Sequence, residues 1–227
     1  MGLDMYHQND IARALRMLVQ GASALAADTD GSDIVSIQPS PLFESGTAVK
    51  LVDDHGLVET HTVVERLCAG QVRLDDPVEG EFRAANGARL RLATGAGAEL
   101  KWVAQGRPEL MPRPQCLQLP AVVVEPALLR QPSHAGTNRT YQQEYVFNVY
   151  YIRKMSEGEQ ANVELHSEVA DLFNLVMADP YLAETCWHAQ VTNVEMRPAE
   201  EEKLRAVAPG VQAVKMEVIA MRSEVWG

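Results

Sequence analysis

Basic residues are scarce in this chain. Twenty Lys and Arg stand against 31 Asp and Glu, a formal net charge of −11. Phosphate backbones are gripped by clustered Lys and Arg, so this balance excludes tight wrapping of nucleic acid and favours solubility. Cysteine is scarce too. Cys68, Cys116 and Cys186 lie far apart, odd in number, with no CxxC or Cys/His ligand spacing. That excludes a disulfide framework and a zinc site, and reads as reduced thiols in a cytosol-like compartment. Long apolar runs are missing as well. None approaches the roughly 20 residues needed to cross a bilayer, so no membrane partner is expected. The opening MGLDMYHQND lacks a cationic start followed by an apolar stretch, so no signal peptide is expected. Tyr6 also stands where a myristoylation motif needs Ser or Thr.

Catalytic signatures are equally thin. There is no GxxxxGK[ST], GxGxxG, GxSxG or HExxH. The Gly-rich run Thr94-Gly95-Ala96-Gly97-Ala98 sits between expected strands and reads as a plain turn. A phosphate cradle would need helix-terminal amides aimed at the anion. His55 and His61, with Asp53 and Asp54, could ligate a metal across a hairpin if register allowed. Turn acids with exposed imidazoles are the plainer reading. Cys186 and His188 would share one face of a strand, but no third group completes a nucleophilic site. Glu200, Glu201 and Glu202 read as a solvated face. No catalytic residue, cofactor or metal ligand is therefore assigned.

What is present is 46% hydrophobic residues in 227, ample for a core. Ile11, Leu15, Leu18, Val19, Ala22 and Leu25 recur at helical spacing, predicting a helix over about residues 9–27. Residues 34–110 read as five short strands at 48–52, 57–64, 71–74, 89–93 and 100–103, punctuated by turn residues. Asp54-His55-Gly56 and Asn86-Gly87 are the hairpin candidates. Such a run predicts a small antiparallel barrel or sandwich. Pro108, Pro112 and Pro114 mark an extended linker. Beyond it the expected order is strand 119–125, a polar loop, strand 141–152, helix 160–177, strand 187–196, a polar stretch, and strand 211–222. Val163, Val169, Ala170, Leu172, Phe173, Val176 and Met177 form the helix's apolar stripe.

The expected fold class is α+β. A mainly antiparallel four-stranded sheet with helices on one face is built from residues 1–33 and 111–227. A small β-rich module, residues 34–110, is inserted into it. If helices cover one face, the strand bearing Tyr145, Phe147, Tyr150 and Tyr151 offers aromatic surface on the other, because adjacent residues point oppositely. The polar loop 131–140, with Arg130, His134, Asn138 and Arg139, could project and order on a partner. These two groups are the candidate interaction residues.

The amphipathic first helix and Leu119-Pro120-Ala121-Val122-Val123-Val124 open a recognisable order. A loop ending in Arg139-Thr140, the strand Tyr145-Val146-Phe147-Asn148-Val149-Tyr150 and a helix closing in Leu175-Val176-Met177-Ala178-Asp179-Pro180 continue it. With the final strand, this order resembles the tail-terminator and tail-completion (neck) proteins of tailed bacteriophages. The resemblance covers the first helix and the chain from Leu119 onward; the β-rich insertion departs from it. It implies a non-enzymatic virion protein forming a homohexameric ring at the head-proximal end of the tail. The implied partners are the tail tube protein and neck, connector or sheath proteins, with DNA passing through the lumen without specific binding. A head–tail connector of the same particle, and a metal-dependent or Cys/His hydrolase, are the alternatives.

Overall fold

The computed structural model describes residues 5–108, 118–129, 133–134, 140–156 and 158–225. The chain is α+β and divides into two compact units. One comprises Met1–Arg16 with Leu100–Gly227; the other is Met17–Glu99. The dividing line falls inside α1 (Met5–Val19).

The second unit holds β1 (Ala22–Ala24), β2 (Ile34–Ser36), β3 (Ala48–Val52), β4 (Val58–Cys68), β5 (Gln71–Leu74), β6 (Arg89–Leu92) and the short α2 (Ala96–Glu99). All its strand pairs are antiparallel, in the order β1-β6-β3-β4-β5-β2. The two ends then meet. Leu25 bridges Ile37, the Ala26 N–H donates to Ser36 at 2.9 Å, and the Gln38 N–H donates to Ala24 at 2.8 Å. The sheet thereby closes on itself. Two register shifts in β4, between Val63 and Glu65 and between Arg66 and Cys68, supply the bending that closure needs. Alternation sends Val49, Leu51, Val63, Val72, Leu74 and Leu90 inward around Phe43 and Phe82. Each such side chain contributes about 1.5–3 kcal/mol when buried.

Several expectations are corrected here. The first helix stops at Val19, not near residue 27, and Ala22–Ala24 is a strand. Gly21 makes the break: its φ is +60°, and a Cβ would sit 2.9 Å from Leu92 Cδ1. The inserted unit consequently begins at Met17 rather than 34. It ends at Glu99 rather than 110, because β7 (Trp102–Gln105) pairs in parallel with β8 (Ala121–Leu129) in the other sheet. Asn86-Gly87 ends a 3-10 turn, Ala84–Asn86, instead of forming a hairpin. The Gly-rich run leads into α2. Asp54-His55-Gly56 does lie in the β3–β4 hairpin, where Asp53 Oδ1 accepts the His55 and Leu57 N–H groups.

The first unit's remaining elements are β9 (Ser133–His134), β10 (Thr140–Lys154), α3 (Glu159–Ala178), β11 (His188–Glu195), α4 (Glu200–Val207) and β12 (Val211–Val225). Its sheet runs β11-β12-β10-β8-β7, with β9 on β10. It is mixed and five strands wide along that path, wider than the four-stranded sheet expected. α3 forms because Ala161, Leu165, Val169, Leu172 and Val176 recur at spacings of three and four and bury one face. Asp179-Pro180 ends it. α4 gathers Glu200, Glu201 and Glu202 in its first turn and Arg205 in its last, each favoured by the macrodipole.

The helices lie on opposite faces, not one. Tyr151 and Arg153 reach Glu168 of α3. Tyr150 and Ile152 point the other way and pack with Leu204 of α4. No helix among the described residues is long and apolar enough to cross a membrane.

Candidate interaction surface

β10 and β12 pair along all 15 residues of each strand. Among the described residues, β8 pairs with β10 as far as Tyr145 and β9 pairs with it at Gln142 and Tyr141, while β11 pairs with β12 no further than Met221. Residues 140–143 and 222–225 carry the β10–β12 pairing beyond the reach of β11, as an arm of the sheet. β9 adds to it through Tyr141↔His134 and Gln142↔Ser133. Among the described residues the outer edge of β12 beyond Met221 has no strand on it, and a free edge is a template for pairing with another chain.

Of the expected contact residues, His134 belongs to this arm through its backbone. Arg130, Asn138 and Arg139 lie outside the described residues. The aromatic set is corrected: Tyr145, Phe147, Tyr150 and Tyr151 are all buried within the chain. With helices on both faces, the Tyr150 and Tyr151 hydroxyls each find an internal carboxylate. Tyr151 donates to Glu168 Oε2 at 2.8 Å, which also accepts from Arg153 Nη1 at 2.6 Å. Tyr150 donates to Glu125 Oε2 at 3.0 Å, beside Asn148 at 3.2 Å; Arg107 Nε lies 3.2 Å from Oε1. These residues organise the core and are not available as surface.

The chemical alternatives fare no better. His61 is buried, with Nε2 3.2 Å from Glu59 and Nδ1 3.4 Å from Asp75. Its two nitrogens thus face different carboxylates instead of converging with His55, which is exposed. Among the described residues, no group of three or more His, Cys, Asp or Glu could hold a metal ion. Burial and the nearby Asp179 carboxylate push the Cys186 thiol up to about 12. A nucleophilic cysteine needs a thiolate, which this shift disfavours at neutral pH.

One feature was invisible in the sequence. After α3, Leu182, Ala183 and Glu184 hold φ values of 46°, 53° and 65°. Three successive left-handed residues without glycine cost about 1–2 kcal/mol apiece. The buried Asp179 carboxylate sustains the turn by accepting the Tyr181 and Ala183 N–H groups at 3.1 and 2.7 Å. Leu182 is buried beneath it, and the Cys186 N–H donates to the Tyr181 carbonyl at 3.3 Å. Backbone strain of this kind concentrates at functional surfaces. Here it displays Tyr181 and Trp187, which are 58% and 49% exposed. Leu, Ala and Glu carry no left-handed signal, so no sequence pattern announces the turn. Comparison with known proteins returned no match, either to a family model or to a curated sequence.

Proposed function

We propose that this chain is a non-enzymatic structural protein of a tailed-phage particle. In this reading it forms a ring at the head-proximal end of the tail, ends growth of the tube and joins tail to neck. One observation carries the reading: the arm at residues 140–143 and 222–225, where among the described residues no strand pairs with the outer edge of β12 beyond Met221. A second copy can pair with such an edge head to tail. Repeated around a rotation that closes, head-to-tail contacts make a ring. The resemblance in element order supplies the place in the particle and the count of about six copies. The net charge of −11 suits a lumen through which DNA slides without sticking. The tube protein would meet one end of this ring, and neck, connector or sheath proteins the other.

Assembly in vitro tests it. Purified tube protein should polymerise without limit alone and stop at capped ends when this chain is added. Electron microscopy should then find the chain at one tip only. Tubes whose length ignores the added chain, or a chain spread along the tube wall, would refute the reading.

A further inference from the structure

α3 carries apolar residues on two faces, and the sheet takes only one of them. The inner face is the buried line from Ala161 to Val176. On the outer side Val163, Ala170 and Met177 recur every seven residues, so they share a line along the helix. Val163 is 58% and Met177 40% exposed. Glu164 and Asp171, also seven apart and both exposed, flank that line. The helix contains no Lys or Arg at all. Just past its end the strained turn holds Tyr181 outward and adds the exposed Glu184, with the exposed Trp187 three residues further on.

We propose that this outer face, continued by Tyr181, docks a basic amphipathic helix from a different protein. Charge selects the occupant. A second copy would bring the same acids to a helix that has no Lys or Arg to meet them, and like charges facing each other are repelled. An anionic membrane surface is repelled for the same reason. A helix with Leu-type residues on one side and Lys or Arg beside them meets both features. Its apolar side covers Val163, Ala170 and Met177, and its cations face Glu164 and Asp171. The turn is preorganised by Asp179, so presenting Tyr181 needs no ordering when the partner arrives. The inference does not rest on ring formation.

The test uses the full chain and two labelled synthetic helical peptides, one of Leu and Lys and one of Leu and Glu. Fluorescence anisotropy reads affinity, and hydrogen–deuterium exchange reads location. The Leu/Lys peptide should bind and slow exchange across α3; the Leu/Glu peptide should not bind. The folded double variants V163S/M177S and E164Q/D171N should each weaken binding at least about tenfold, the first by removing the apolar line and the second by removing the charge. Unchanged affinity in either double variant overturns the proposal, as does equal binding of both peptides. Self-association abolished by V163S/M177S would make a second copy the occupant and overturn it too. So would capture of the chain by anionic vesicles through α3.

Discussion

The carboxylate of Asp179 accepts the Ala183 N–H at 2.7 Å and so holds a left-handed turn that its own residues disfavour. Burial raises the neighbouring Cys186 thiol, and the same carboxylate adds to the rise. Asp179→Asn removes the charge and leaves one acceptor oxygen where the carboxylate has two, so one of the Tyr181 and Ala183 N–H groups loses its partner. The Cys186 thiol should then fall from about 12 and react faster with a disulfide reagent at alkaline pH. Asp179→Ala removes the acceptor, leaves two amides without it, and should cost about 1–3 kcal/mol in a urea titration.

Glu168 and Tyr151 separate two kinds of cost. Tyr151→Phe removes one hydrogen bond and should cost about 1 kcal/mol. Glu168→Ala leaves the buried Arg153 guanidinium without its carboxylate, which should cost about 3–5 kcal/mol. Arg153 retains Ser156 Oγ and the Ala161 carbonyl, which keeps the loss toward the lower end. Denaturant midpoints at matched slope check the order.

Gly87 has φ +71°, and a Cβ there would run into the Asp54 carboxylate. Asp54 Oδ1 holds Arg89 Nη1 at 2.7 Å. Gly87→Ala should therefore strain the backbone and dislodge that pair. The melting temperature should drop by several degrees, about 1–2 kcal/mol, by differential scanning calorimetry.

The Thr62 N–H, donated to Asp75 Oδ1 at 3.0 Å, holds the Asp75 carboxyl below its ordinary value of 3.8. A depressed carboxyl contributes stability that is present above the unfolded value and lost as pH falls through the folded one. The contribution should thus fade below about pH 4, and Asp75→Asn should flatten that part of the acid limb. Thermal melts of both proteins from pH 6 down to pH 2.5, about the useful range for such a curve, check it.

The strands 48–52 and 71–74 could be read from the sequence because alternation and turn residues agree there, and both match the structure residue for residue. β10, α3 and β12 were legible for the same reason: long elements with a single period. The end of α1 was not, because Ala22 and Leu25 continue the helical period by coincidence after Gly21 has ended it. β1 and β2 are three residues each, too short to show a period. The parallel place of β7 depends on a partner about twenty residues away and leaves no local trace. The burial of Tyr150 was missed because α4, which covers it through Leu204, begins with three glutamates and reads as solvated.

The central claim is lateral association through the arm at residues 140–143 and 222–225, at the outer edge of β12. Light scattering on the chromatographed full chain tests it most directly, alongside Ser223→Pro, which breaks the arm's pairing with Gln142 beyond the reach of β11. The account predicts a closed particle of about six times the 25.0 kDa chain, reduced to single chains by the substitution at little change in melting temperature. A wild-type chain that stays at 25.0 kDa at every concentration and in the presence of tube protein would contradict it.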